Sequence, residues 1–223
     1  MNREDVKRQI IEIGIVPVIR AASPQQAVLA AEAVAAAGIT VAEITMTVPN
    51  AFGAIEVLKR RFGADMLIGA GTVLNPETAQ RCLDAGAQFL VSPGLDVATV
   101  KFAAEVQTVI MAGALTPTEV IAAWNAGADF VKIFPCSAVG GASYLKSLKG
   151  PLPHIPLVPT GGVNLNTASD YLRAGAAALG IGGELISSAA LDAGNAGAIT
   201  NLAKQYLEII RQTRAGNYEK ALA

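Results

Sequence analysis

Short apolar runs alternate with amphipathic stretches along all 223 residues, which predicts an α/β fold with a parallel sheet covered by helices. Eight such units in one chain predict a (β/α)8 TIM barrel: a single domain over residues 1–223 with an extra N-terminal helix. Two kinds of punctuation support it. The helix-to-strand junctions look alike: AAAGIT (35–40), RFGADM (61–66), DAGAQF (84–89), NAGADF (125–130) and RAGAAA (173–178). Each places a glycine just past a helix, where a left-handed cap is wanted, and then enters an apolar run. Three helix starts also match, since Ser23-Pro24, Asn75-Pro76 and Thr116-Pro117 set a capping side chain before proline at the first helical position. The rival architecture is an open doubly wound sheet, but no dinucleotide fingerprint follows the first strand.

The elements follow in order. An amphipathic helix spans 2–13 and leads into strand IVPVIR (15–20). Helical periodicity over 24–37, Ala-rich and a good helix former from 27 to 37, precedes VAEITM (41–46). Helical periodicity over 49–62 and 76–85 brackets MLIGAG (66–71), and QFLVS (88–92) follows. Helices over 97–106 and 117–126 flank TVIMAG (108–113), and DFVKIF (129–134) comes next. The last repeats are helix 141–149, strand PLVPTG (156–161), helix 166–174, strand AALGIG (177–182) and helix 195–213.

Composition narrows the function classes. Hydrophobic residues make up 52% and charged residues 16%, an apolar balance that points to an oligomer hiding extra surface. The net charge is −1 with no basic run, which argues against nucleic-acid binding. The charged N-terminus reads as neither signal peptide nor anchor, and no apolar stretch reaches membrane-spanning length, so a cytoplasmic protein without membrane partners is expected. Cys82 and Cys136 lack metal-ligand spacing and read as small buried thiols in a reducing compartment. The single histidine, His154, lies in the Pro-rich turn PLPHIP, which argues against a His-based metal site or catalytic triad. Trp124 and the helical Phe residues read as core.

Lys132 carries the chemistry. It sits inside DFVKIFP (129–135), where lysine is rarely buried without a partner. Burial disfavours the charged form of an amine and so favours the neutral nucleophile that a Schiff-base enzyme needs. Strand alternation that points Lys132 inward also points Phe130 and Phe134 inward, and brings Glu43 to the barrel axis. The bland alternative is an ion pair that only holds the barrel together. Barrel active sites form where strands run into the following loops, and those ends also carry Arg20, Thr45, Thr47, Thr72, Ser92, Pro93 and Thr160. Arg20 could clamp a substrate carboxylate or pair with Glu43. Thr72 and Thr160 could bond a keto acid or merely satisfy strand-end backbone groups. The pairs Gly161-Gly162 and Gly182-Gly183 end the last two strands, where barrels often bind phosphate, although either could be only a tight turn.

In this order, VPVIR, EITMTVPNA, IGAGTVLNP, VSPGLD, GALTPTE, DFVKIFP, VPTGGV and LGIGG resemble the 2-keto-3-deoxy-6-phosphogluconate (KDPG) aldolase family, which also cleaves 4-hydroxy-2-oxoglutarate (KHG). The resemblance implies a metal-independent class I aldolase with no cofactor, usually a homotrimer, acting on small 2-keto acid and aldehyde substrates. It assigns Lys132 to the Schiff base and Glu43 to proton transfer. It places Thr72, Pro93 and Thr160 around pyruvate with Phe134 as an apolar wall, and sets Gly161, Gly162, Gly182 and Gly183 around a distal phosphate. The chain departs from some members in having Thr47 where they carry Arg, Glu184 where they carry Ser, and Ala112 where Pro is common. With Thr47 in place, carboxylate binding is expected to fall to Arg20 or to backbone groups. A carboxylate near a phosphate would repel it, so either Glu184 points away or the preference for a phosphate is weakened. A phosphosugar isomerase or synthase, or a phosphate-binding barrel without catalysis, are the competing readings.

Overall fold

The computed structural model describes residues 2–222, with side-chain surroundings through residue 216. Eight parallel strands form one sheet: β1 (Ile15–Ile19), β2 (Val41–Thr45), β3 (Leu67–Gly71), β4 (Phe89–Val91), β5 (Val109–Ala114), β6 (Phe130–Ile133), β7 (Leu157–Pro159) and β8 (Leu179–Ile181). Neighbours in sequence are neighbours in space, and β8 returns to pair with β1. The seam between β7 and β8 closes through single bridges, Leu157 with Ala176 and Thr160 with Gly180. The result is the expected (β/α)8 barrel.

The helices are α1 (Arg3–Ile13), α2 (Pro24–Ala36), α3 (Ala51–Phe62), α4 (Pro76–Asp84), α5 (Val97–Glu105), α6 (Pro117–Asn125), α7 (Gly141–Lys149), α8 (Ala168–Arg173), α9 (Ser188–Asp192) and α10 (Ala196–Leu222). The side chains of Ser23, Asn75 and Thr116 accept hydrogen bonds from backbone N–H groups in the first turns of α2, α4 and α6, as the Pro-flanked starts predict. Two elements escape the sequence reading: a 3₁₀ turn over Cys136–Val139 and the five-residue α9. The last helix also runs further than periodicity suggests, to Leu222. Trp124 and the helical residues Phe52, Phe62 and Phe102 are half-buried against the core rather than within it, and the Trp124 ring meets His154 edge-on.

Alternation sorts the strand side chains into two cores. Val16, Val41, Leu67, Phe89, Val109, Phe130 and Val158 fill the barrel interior, while the intervening residues pack outward against the helices. Val6 and Ile10 of α1 belong to the interior cluster, so α1 closes the end of the barrel opposite the strand C-termini. Asp129, 6% exposed, fastens it: its carboxylate accepts from Arg3 Nε and Nη2, each at 2.9 Å, and from the Ile110 N–H at 3.0 Å. Arg214 of α10 adds a second clasp by donating to the carbonyls of Ile11 and Glu12 at the end of α1. Asp129→Ala leaves the buried Ile110 N–H without this acceptor and the Arg3 guanidinium with only the Gly127 carbonyl, 3.0 Å away. It is expected to lower stability by about 3 kcal/mol, read as an earlier urea midpoint at unchanged slope.

Candidate active site

At the C-terminal end of the barrel the interior turns polar. Lys132 is 4% exposed and Glu43 2%, and Nζ lies 3.7 Å from Glu43 Oε1. The two reach each other across the barrel from β6 and β2 because both occupy inward positions. Register sets Lys132 beside Gly113 on β5 and Val158 on β7, and Glu43 beside Val18 and Gly69. The Phe134 ring lies 5.6 Å from Nζ, close enough for its negative face to meet a cation. The site thus sets an amine and a carboxylate on an apolar floor.

Glycines make the room. A methyl group added to Gly71 would lie 1.9 Å from Glu43 Oε1, so the carboxylate occupies the space a side chain at 71 would need. Gly180 does the same for Thr160, whose Oγ1 would lie 2.1 Å from an added methyl. Thr160 is 4% exposed, and its Oγ1, like Glu43 Oε1, is buried with no hydrogen-bond partner among the described residues. Both oxygens are therefore available to an incoming polar group. Thr72 follows Gly71 with φ of 59°, a left-handed conformation rare for a β-branched residue, and such strain concentrates at functional sites.

Gly113 admits the wall beside Lys132. A methyl there would lie 2.2 Å from the Pro93 carbonyl carbon and 2.3 Å from the Gly94 nitrogen. The peptide after Pro93 therefore lies against β5 at the position flanking Lys132. Ser92 ties it down, since Oγ accepts from the Gly113 N–H at 3.1 Å and donates to the Gly94 carbonyl at 2.7 Å. Gly113→Ala is expected to push this wall outward and cut kcat/KM by at least about tenfold, while circular dichroism still reports the barrel. Ser92→Ala is expected to show a smaller loss in the same direction.

Arg20 is exposed at the end of β1. Its guanidinium leans toward β8, with Nη1 3.0 Å from where a Gly182 side chain would begin. Among the described residues it forms no ion pair with Glu43, whose cationic neighbour is Lys132. Of the two roles open to Arg20, pairing with Glu43 is not the one found. The reason is geometric: closure of the barrel places β8 on one side of β1, and its glycine end leaves room for the long side chain. Gly161 and Gly162 take φ of 88° and 77°, and Gly183 has open space around it. The N–H groups of Gly162, Gly183 and Glu184 donate to no protein acceptor among the described residues. They form a glycine-rich rim suited to an anion. Glu184 is exposed, and its charge contributes, after burial, to pushing the Tyr206 phenol of α10 up to about 12. That carboxylate therefore bears on α10.

Three groups in this neighbourhood escape sequence reasoning: Gly71, Gly113 and Gly180. The available signal is glycine inside a strand, as in IGAG and MAGA, which marks a close approach of other atoms. Burial pushes both cysteine thiols up to about 11, so neither Cys82 nor Cys136 offers a reactive thiolate. A cleft of about 580 Å³ between α2 and α3 lies outside this site, and its charged residues belong to surface ion pairs, Arg60 with Glu56 and Arg61 with Glu32. Among the described residues no helix is long and apolar enough to cross a membrane.

With this geometry in hand, the comparisons are specific. The family model described as "KDPG and KHG aldolase" matches residues 6–202. The chain is 36% identical over 195 residues to the KHG/KDPG aldolase of Escherichia coli (strain K12), covering 87% of this chain and 91% of that one. The crystal structure of KDPG aldolase from Legionella pneumophila, with pyruvate captured at low pH as a covalent carbinolamine intermediate, superposes with a TM-score of 0.83. It is 32% identical, over 89% of this chain and 96% of that one. A 3-hexulose-6-phosphate synthase shares the fold alone, at TM-score 0.70 and 19% identity.

Proposed function

Because this chain belongs to the KDPG and KHG aldolase family, we propose that it cleaves 2-keto-3-deoxy-6-phosphogluconate to pyruvate and glyceraldehyde 3-phosphate, with KHG as a second substrate yielding pyruvate and glyoxylate. The observation that carries this reading is the buried amine of Lys132, 3.7 Å from Glu43, on an apolar floor at the catalytic end of the barrel.

The mechanism follows from the groups present. Neutral Lys132 adds to the C2 carbonyl, and the carbinolamine takes up a proton at its hydroxyl and loses water to give a protonated imine. Glu43 takes the proton of the C4 hydroxyl as the C3–C4 bond breaks, the aldehyde departs, and the electron pair passes into the imine to leave an enamine. Protonation at C3 and addition of water then release pyruvate and the free amine. Thr72, Thr160 and the Pro93 wall hold the keto acid, and Phe134 shields the imine. Gly161, Gly162, Gly182 and Gly183, with Arg20 beside them, receive the anionic far end. Thr47 lines the rim.

We place the enzyme in the cytoplasm, on its two buried free thiols. A homotrimer is supported by family resemblance and by exposed apolar residues such as Leu74, 59% exposed, and Ile121, 44% exposed. Sedimentation equilibrium checks the trimer. The activity is tested by pyruvate release from phosphorylated and unphosphorylated 2-keto-3-deoxy acids, together with borohydride reduction in the presence of pyruvate. A pyruvate-derived mass on the Lys132 peptide is expected. Thermal stabilisation by a sugar phosphate with neither turnover nor adduct would instead identify a binding protein.

A further inference from the structure

Thr167 precedes α8 but does not cap it. Its side chain makes no cap bond, and its backbone sits at φ −105°, ψ −17° instead of the extended conformation of a capping residue. The hydroxyl turns back to the loop after β7, where Oγ1 donates to the Gly162 carbonyl at 2.9 Å and accepts from the Asn164 N–H at 3.0 Å. The direction of donation is set, because a carbonyl oxygen only accepts. Two other oxygens near Oγ1, the carbonyl and Oδ1 of Asn164, are further off at 3.4 Å each, and the N–H groups of Asn166, Thr167 and Ala168 already serve them. One residue earlier in the same loop, the Gly161 carbonyl accepts from the Ser137 N–H at 3.2 Å. In a trans peptide the N–H points opposite to the C=O. Both peptides are trans, so tying their carbonyls turns the Gly162 N–H away from Ser137 and the Val163 N–H away from Thr167. Neither N–H donates to a protein acceptor among the described residues. Val163 is 1% exposed, and an unpartnered backbone N–H at a buried residue is rare.

We propose that Thr167 is a positioning residue for the anionic end of the substrate: by holding the Gly162 carbonyl it aims the Val163 N–H, next to that of Gly162, at the phosphate. This rests on the aldolase reading above and extends its anion rim from the glycines to the amide of a valine. Thr167 itself touches no substrate and acts through the peptide between residues 162 and 163. Two consecutive N–H groups form a concavity for an anion. Their directions are fixed before the ligand arrives, so binding does not have to order them. Loosening this loop weakens the grip on a phosphate while leaving Lys132 and Glu43, which stand on β6 and β2, in place.

The test compares KDPG with its unphosphorylated counterpart, 2-keto-3-deoxygluconate, in Thr167→Val and Thr167→Ser. Valine keeps the shape and removes the hydrogen bond, so KM for KDPG is expected to rise about tenfold at nearly unchanged kcat. For the unphosphorylated acid, kcat/KM is expected to stay within about twofold of the parent. Serine restores the hydroxyl and is expected to bring KM for KDPG back to within about twofold. Calorimetric titration with orthophosphate reads the same loop without turnover, and its Kd is expected to rise about tenfold in the valine variant alone. Equal losses on both acids in Thr167→Val, no loss on either, or a serine variant as weak as the valine one overturns the inference. A parent protein that does not bind orthophosphate overturns it too, while a borohydride-trapped pyruvate adduct on Lys132 leaves the aldolase reading standing. No adduct on the parent sinks the aldolase reading itself, whatever orthophosphate does.

Discussion

Replacing Lys132 with alanine is expected to abolish the borohydride-trapped pyruvate adduct and to lower aldol cleavage by on the order of 10⁵-fold, because the covalent route is lost outright. The same change removes the only cation within 4 Å of Glu43 among the described residues and leaves a buried carboxylate without its partner. That is expected to cost about 3 kcal/mol in urea unfolding. A loss of activity alone could then be blamed on misfolding, and Lys132→Met/Glu43→Gln removes the ambiguity. It replaces two buried charges with neutral groups of similar volume, and such replacements are often neutral or stabilising. The double variant is expected to match or exceed the parent in stability while remaining inactive. That combination would assign the ion pair to chemistry rather than to holding the barrel together. A Lys132→Ala protein with substantial turnover, or a double variant that unfolds several kcal/mol more easily, would reverse the assignment.

Much of this arrangement is legible in the sequence because it depends on local rules. Continuous apolar runs between amphipathic helices specify a parallel sheet, and the glycines past each helix mark where the strands begin. Alternation alone places Lys132 and Glu43 on the inner face, since residue 132 shares parity with the interior Phe130 and residue 43 with the interior Val41. The partner of Arg20 is not local. It depends on which strand closes the barrel beside β1, and on Gly182 leaving space for a guanidinium. The three glycine recesses are hidden for a related reason. A side chain leans over a neighbouring strand by an amount fixed by the stagger of the whole barrel, so nothing near Gly71 announces that Glu43 will fill its place. Helix α9 is too short to be stable by propensity, and only the Ser187 cap, whose side chain accepts from the Ala190 N–H, signals it.

The recess at Gly71 permits a test in which the Glu43 carboxylate is kept but moved. Glu43→Gln conserves shape and is expected to fit the same space, so folding should be little affected. Proton transfer at the C4 hydroxyl is lost, and kcat is expected to fall by about 10²- to 10⁴-fold. Pyruvate is still expected to be trapped on Lys132, more slowly, because the amine remains. Gly71→Ala should reach nearly the same deficit with the glutamate intact. Its methyl would lie 1.9 Å from Oε1, 2.5 Å from Cδ and 2.6 Å from Cγ, so the whole side chain must swing aside rather than yield by a fraction of an ångström. Combining the two changes is then expected to add little to either alone, since the amide can no longer act as a base wherever it is placed. Multiplicative losses in the double variant would mean that Gly71 acts on something other than Glu43. Near-normal kcat in Glu43→Gln would transfer the proton to a different group, and the hydroxyls of Thr72 and Thr160 would be the first to probe.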